Sequence, residues 1–273
     1  MKRRNLILPF LKLLFTKPSV ILKALYHAVT NANRKEYMIK QYGLKEGLPQ
    51  IDLLDVFPDM NETIHSFTHL YGTSLPIDIC VLKMLAKKYN ECDYFEIGTW
   101  RGESMVNIAP VAKYCVSLSL SDKEMHSIGY GEKFTRVQRF FSKHLPNVEH
   151  IQHNSQTFNF DKFGRKFDLI FVDGDHSYDG VRIDTQNVFK LLKDEKSVIV
   201  WHDYTTQYEY IDWEVFAGIF DGAPENKRSK IHHLSNTLCA IYINGDFKTK
   251  KLDFPTYPDK EFTVSISGKK IQR

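Results

Sequence analysis

The sequence predicts an α/β fold, a doubly wound and mostly parallel sheet with an N-terminal helical extension, and three features carry that expectation. Short apolar runs of strand length alternate with helix-length amphipathic segments between residues 76 and 245. Phe167 to Val172 is apolar almost throughout, as a strand covered on both faces is. Clusters of polar residues stand directly after such runs, where ligands sit in sheets of this kind. The chain has 273 residues, of which 42% are hydrophobic and 26% charged, enough to bury roughly three quarters of its surface. That composition excludes a disordered chain, a collagen and a disulfide-stapled miniprotein.

The chain divides into an N-terminal helical extension with its connecting segment (1–75), a core domain (76–245) and a tail (246–273). Residues 1–50 hold 10 Lys/Arg against 2 Asp/Glu, a net +8, and the rest of the chain is net −4. The basic character thus belongs to the extension, and the mildly acidic body argues against nucleic acid as a partner. Residues 1–30 place Lys2, Arg3, Arg4, Lys12 and Lys17 among Leu6, Ile7, Leu8, Phe10, Leu11, Leu13, Leu14 and Phe15. The lysines interrupt the apolar stretch, which falls short of the ~20 residues that span a bilayer. A basic amphipathic helix results, followed by a second from about Ser19 to Val29. Such helices lie peripherally on an anionic membrane or a partner, or pack on their own domain or a second copy. Gly47, Pro49, Pro58, Gly72 and Pro76 mark 46–75 as an irregular connection lying over the ligand site.

Within the core domain, Ile77, Val81, Leu82 and Leu85 are spaced as on one face of a helix running to Tyr89. Asp93 to Ile97 reads as a strand, Gly98 to Gly102 as a turn and Glu103 to Val111 as a helix. Tyr114–Leu120, Val148–His153, Phe167–Val172 and Ser197–Trp201 are further strands. Helices over Phe134–His144 and from Tyr178 to about Leu192 connect them. Ile231–Leu234 and Leu238–Ile243 form two adjacent strands. In the tail, alternating Phe262, Val264 and Ile266 suit an extra edge strand or a contact in a homodimer. Cys80, Cys92, Cys115 and Cys239 form no C-x-x-C pair, which favours a reducing, cytoplasmic setting and no structural zinc.

The residues at the strand ends carry the chemistry. Glu96-Ile97-Gly98-Thr99-Trp100-Arg101-Gly102 is a turn in which glycines let the backbone approach a ligand. It departs from the dinucleotide fingerprint at Trp100. Asp173-Gly174-Asp175-His176-Ser177-Tyr178-Asp179 follows one strand and His202-Asp203 the next. Consecutive polar residues directly after buried strands are poorly explained by packing, because unpaired buried charge is costly. Asp173, His202 and Asp203 converge from neighbouring strand ends as ligands for a divalent metal, while Asp179 suits a helix first turn. His150, His153, His232 and His233 read as surface or structural. Trp201, Tyr204, Tyr208 and Trp213 suit either stacking on an acceptor ring or the core.

Together these motifs resemble the class I S-adenosylmethionine-dependent methyltransferases. The resemblance is to their metal-dependent O-methyltransferase branch, through Val172-Asp173-Gly174-Asp175-His176-Ser177-Tyr178 and His202-Asp203. It covers residues 76–245 and implies a Rossmann-like, seven-stranded sheet with S-adenosylmethionine and a divalent metal, Mg or Mn, as cofactors. It also implies cofactor contacts from Glu96, Gly98, Thr99, Gly102, Asn154, Ser155 and Asp173. The acidic residue that usually ends the second strand and binds the ribose is replaced by Ser119, with Asp122 as a substitute from the loop. The resemblance assigns Asp173, His202 and Asp203 to the metal and His176, three beyond Asp173, to the catalytic base, with Asp175 orienting His176 or joining the metal.

A metal-bound hydroxyl loses its proton readily, and imidazole can accept it near neutral pH. The implied reaction is methyl transfer to a hydroxyl acceptor, a small molecule, sugar or glycan precursor. Two other readings stay open: a metal-dependent hydrolase, which would not need the glycine loop, and a non-catalytic binding protein of the same fold.

Overall fold

A computed structural model describes residues 7–69, 73–207, 209–252 and 255–271. Tyr208 therefore lies outside the described residues. The extension forms α1 (Ile7–Thr16) and α2 (Pro18–Tyr42), and Pro18 starts the second because its ring suits a first helical position. α2 runs well past the expected end at Val29. It continues because its second half has a partner in α10 (Trp213–Gly222), and it stops where Gly43 adopts φ 72°. Asn31 Oδ1 accepts from the Trp213 amide at 2.6 Å, and the hydroxyls of Tyr37 and Tyr42 donate to Asp221 at 2.9 and 2.5 Å.

The connection 46–75 is less irregular than its glycines and prolines suggest. It contains β1 (Gln50–Ile51) and α3 (Leu53–Val56), the latter capped by Asp52, which accepts from the Leu54 amide. α4 (Pro76–Lys87) leads into β2 (Asp93–Ile97). α5 (Glu103–Ile108) then gives way to a tighter 3₁₀ turn at Pro110, which has no amide hydrogen to continue the ladder. β3 (Tyr114–Ser119), α6 (Asp122–Ser127) and α7 (Glu132–Thr135) follow.

The helix expected over Phe134–His144 is absent beyond α7. Arg139 sits at φ 55°, and the amides of Arg139 and Phe141 donate to the carbonyls of Trp100 and Arg101 at 2.6 and 2.9 Å. This backbone serves the glycine turn instead of a helical ladder. β4 (Val148–Gln152), α8 (Phe160–Phe163), β5 (Leu169–Val172), α9 (Tyr178–Phe189), β6 (Val198–Trp201), β7 (Ile231–Leu234), β8 (Ala240–Tyr242) and β9 (Thr249–Lys250) complete the order.

The strands form one sheet in the order β4-β3-β2-β5-β6-β8-β7-β1-β9. β4, β3, β2, β5 and β6 are mutually parallel, and β8 runs antiparallel to both β6 and β7. The first seven of this order make the expected Rossmann-like sheet. β1 and β9 lengthen its edge, β1 pairing with β7 and β9 with β1. An edge strand thus exists in the tail, but at Thr249–Lys250; Phe262, Val264 and Ile266 are exposed and belong to no strand.

Side chains alternate across the sheet, so both faces are covered. Ile170, Val172, Ile199 and Trp201 join one apolar layer, and Leu169, Phe171, Val198 and Val200 the other. All four cysteines are free and buried. Trp201, Tyr204 and Trp213 are core residues, and the Tyr204 hydroxyl accepts from the Leu48 amide at 2.8 Å. His233 is likewise structural, sharing a hydrogen bond with Gln50 at 3.1 Å.

Candidate active site

β2 lies between β3 and β5, and the chain reaches those two neighbours in opposite directions along the sheet, which opens a crevice at their carboxyl ends. Three loops meet there in fixed register. The amides of Gly98, Asp173 and His202 donate to the carbonyls of Leu118, Ile97 and Val172 at 2.9, 2.8 and 3.0 Å, so the ladder continues into the loops. Gly98 has φ 89°, and a β-carbon there would stand 2.0 Å from the Asp173 carbonyl oxygen. Only glycine lets these two loops approach so closely.

Glu96 is fully buried, and its carboxylate accepts from the hydroxyls of Tyr94 (2.9 Å), Thr99 (2.5 Å) and Ser104 (2.8 Å). Burial raises its pKa to about 7 despite those three donors. It holds the turn in shape from behind and does not line the cleft. Thr99 also hydrogen-bonds Ser117. Gly98, Thr99, Ser119, Asn154, Ser155 and Asp173 line a cavity of about 1050 Å³. Gly102 lies in an adjoining one of about 660 Å³ that shares Gly98, Asp173 and His176. Trp100 and Phe134 stack between the two, with ring centres 5.3 Å apart.

Asp122 is turned toward Arg139 at 3.5 Å and does not line the cavity. Glu124, two residues on in the same first turn of α6, does line it. Its carboxylate also accepts from Ser121 and from the Asn154 amide at 3.2 Å. Spacing concealed this residue, because a Glu three after a Ser reads as a capping box, which it also is. Tyr26, His27 and Asn31 of α2 form another part of that wall, and Thr73 and Ser74 line the smaller cavity.

The ionisable residues meet where the two cavities join. His176 Nε2 lies 3.2 Å from Asp203 Oδ2 and 3.7 Å from Asp173 Oδ1. His202 Nδ1 lies 3.4 Å from Asp173 Oδ1 and 3.2 Å from Asp203 Oδ1. Asp203 reaches back to both because it adopts φ 55°, a left-handed conformation that Asp tolerates better than most side chains.

Asp175 does neither of the things expected of it. Its carboxylate accepts from the Ser177 amide and hydroxyl, both at 2.9 Å, and from Gln156 at 3.2 Å, forming a turn at the start of α9. The residue that orients a histidine here is Asp78, on α4. It is fully buried, receives the Leu75 and Leu238 amides at 3.1 and 3.2 Å, and faces His202 Nε2 at 3.1 Å. A carboxylate only accepts, so Nε2 carries the proton and Nδ1 is aimed at the Asp173–Asp203 pair. The sequence contains a signal for this: Asp78 shares the buried helix face of Val81, Leu82 and Leu85, three, four and seven residues on.

Electrostatics follow from this crowding. Burial works against charge on His176, yet the neighbouring carboxylates of Asp173 and Asp203 raise it to about 9. Burial also opposes charge on His202, and Asp173, Asp203 and Asp78 raise it well above an ordinary histidine. Asp173 is held far below the usual carboxylate range by these two rings, against its own burial.

Asp173, His176 and Asp203 each offer a ligand atom within 4.8 Å of the others, and His202 Nδ1 adds a donor beside the same two carboxylates, so a small divalent cation fits here. The buried Nδ1 of His202 has no hydrogen-bond partner among the described residues. Its separations from the two carboxylates are close to the ~3 Å between neighbouring ligand atoms whose bonds to a cation are about 2.1 Å.

Beneath Gly174, Asp184 is fully buried, and neither carboxylate oxygen has a well-formed hydrogen bond among the described residues. Burial, eased in part by the nearby Ser155 hydroxyl and reinforced by a smaller push from Asp175, raises its pKa to about 7. Its folded value therefore exceeds the ordinary unfolded one, and stability is lost as pH rises from about 4 through 7. The Asp184→Asn variant is expected to gain melting temperature on the native protein between pH 5 and pH 8, its advantage growing by several degrees over that range, on a scale of roughly 2–4 °C per kcal/mol. Scanning calorimetry at the two pH values checks this; an equal difference at both would remove the ionisation as the cause.

Comparison with known proteins places part of this arrangement. An uncharacterized protein of Acanthamoeba polyphaga mimivirus is 26% identical over 151 residues, covering 50% of this chain and 63% of that protein, so the chain spans under two thirds of that relative. The TDP-rhamnose 3'-O-methyltransferase of calicheamicin biosynthesis superposes with TM-score 0.43 at 9% identity, over 62% of this chain and 79% of that one. The N-methyltransferase NodS of Bradyrhizobium japonicum, in complex with S-adenosyl-L-homocysteine, gives TM-score 0.36 at 18% identity, over 46% and 62%. The stretch from residue 95 to 204, which holds the glycine turn together with Asp173, His176, His202 and Asp203, matches the family model of the methyltransferase domain.

Proposed function

We propose that the protein is an S-adenosylmethionine-dependent O-methyltransferase that uses a divalent metal, Mg or Mn, and His176 as general base. The observation that carries this reading is the convergence of Asp173, His176, His202 and Asp203 at the carboxyl ends of β5 and β6, beside the Gly98 turn of β2. The glycine turn, Ser119, Glu124, Asn154 and Ser155 line the larger cavity, where the cofactor would lie, with Glu124 supplying the carboxylate missing from the end of β3. Thr73, Ser74, Thr205, Thr206, Gln207 and Asp212 give the smaller cavity a polar lining suited to an acceptor with several hydroxyls, such as a sugar or glycan precursor.

Bound S-adenosylmethionine would supply the electrophilic methyl group. Asp173, His202 and Asp203 would hold the metal, which would lower the pKa of the acceptor hydroxyl. His176 Nε2 takes up the hydroxyl proton, and the loops hold acceptor and methyl donor in line. With the charge of Asp173 and Asp203 balanced, His176 returns toward its ordinary value near ~6.5, where it can act as a base at neutral pH.

Calorimetry on metal-stripped protein, with and without added Mg or Mn, tests the reading. S-adenosylmethionine is expected to bind, and metal to bind independently. Absence of cofactor binding under both conditions would overturn methyl transfer and turn attention to metal-dependent hydrolysis, assayed on ester and phosphoester probes.

A further inference from the structure

The extension carries a surface that the body of the protein does not cover. Leu22, Leu25, Tyr26 and Val29 follow the i, i+3, i+4, i+7 spacing of one helix face and are all exposed, Leu22 at 66% and Val29 at 55%. Asn31, Arg34 and Met38 mark the opposite face. Asn31 accepts from Trp213, Arg34 pairs with Glu214 at 3.5 Å and lies over the Tyr178 ring, and Met38 is fully buried. Leu22 and Asn31 are nine residues apart, two and a half turns, so the apolar stripe points away from α10. α1 adds Leu13, Leu14 and Phe15, the last 83% exposed. This is a large apolar surface for a chain of this size.

Charge selects its occupant. Residues 1–35 contain eight Lys/Arg and no Asp or Glu. Lys12 and Lys17 are exposed alongside the apolar side chains of α1. A second copy laid stripe to stripe would bring two such segments together, with like charges opposed. An anionic lipid surface offers both what the apolar stripe needs and what the lysines need. Among the described residues no helix is long and apolar enough to cross a membrane, so the mode is attachment at the interface.

We propose that α1 and the first half of α2 form a docking face for an anionic lipid bilayer. Tyr26 and His27 in the same part of α2 line the larger cavity, so the bound bilayer lies beside the mouth of the cleft. Docking itself requires no chemistry in that cleft.

The test is co-sedimentation of the full-length protein with vesicles of phosphatidylcholine alone or with about a third phosphatidylglycerol, at low and high salt, beside light scattering for oligomeric state. The expected result is at least about tenfold stronger partition to the anionic vesicles, weakened by salt and lost in Leu22→Gln/Leu25→Gln/Val29→Gln. Glutamine preserves helix propensity, and the variant leaves the residues lining the cavity in place. Should that variant not fold, Lys12→Glu/Lys17→Glu at exposed positions removes the charge contribution alone. Equal partition to both vesicles, or none, overturns the proposal. So does a native dimer that the triple substitution dissociates, which would assign the stripe to a second copy.

Discussion

His176→Ala is expected to lower turnover about 10²–10⁴-fold, the usual worth of a positioned general base, while divalent-metal affinity changes by no more than a few-fold. The two quantities separate the roles of base and ligand for His176, whose Nε2 groups with Asp173 and Asp203 closely enough for either. His202 is buried, with Nε2 held by Asp78, whereas His176 is half exposed and touches the same carboxylates only through Nε2. If His176 were itself a metal ligand, its loss would weaken metal binding by orders of magnitude, and titration calorimetry would show it. A pH series adds an independent check. In the metal-free site Asp173 and Asp203 keep His176 protonated up to about pH 9, so an arriving cation must displace that proton's influence as well as compete for the carboxylates. Apparent metal affinity is therefore expected to rise with pH toward 9, and to rise less steeply in His176→Ala.

The parts of this site that could be read from the sequence are those set by local pattern. β5 and β6 are short apolar runs ending in charged residues, and burial on both faces leaves those residues nowhere to go but the strand ends. Asp173, His202 and Asp203 accordingly meet as the motifs suggest. The parts that could not be read depend on which of two local roles a side chain takes after the chain has folded. Asp175 stands beside His176 in sequence, but Ser177 and Gln156 capture its carboxylate. Asp122 pairs with Arg139, leaving Glu124 at the cavity.

The same distinction explains the fold. The seven-stranded core follows from alternation and apolar runs. The missing helix after Thr135 follows from long-range hydrogen bonds to Trp100 and Arg101, which no local period encodes. β1 and β9 are only two residues each, too short to show any alternation. The full length of α2 reflects Asp221, whose carboxylate receives hydroxyls from Tyr37 and Tyr42 on α2 and from Tyr178 on α9 at 2.8 Å.

Asp78→Asn is expected to weaken metal binding about 10–100-fold, the range for removing the carboxylate behind a metal-binding histidine, with S-adenosylmethionine affinity unchanged. The substitution keeps shape but removes the charge that fixes the proton on His202 Nε2. An asparagine oxygen could still accept from the ring, but the same oxygen must also serve the Leu75 and Leu238 amides, which Asp78 divides between its two oxygens. Its amide hydrogens would instead favour an unprotonated Nε2, placing the proton on Nδ1, where a metal cannot bind. The pH dependence distinguishes this from simple loss of packing. With Asp78 gone, His202 loses one of the partners that raise its pKa, so its protonated form gives way at lower pH and the metal-binding curve shifts accordingly. A uniform loss of affinity at every pH, accompanied by weaker cofactor binding, would mean that Asp78 only holds α4 against the Leu238 loop.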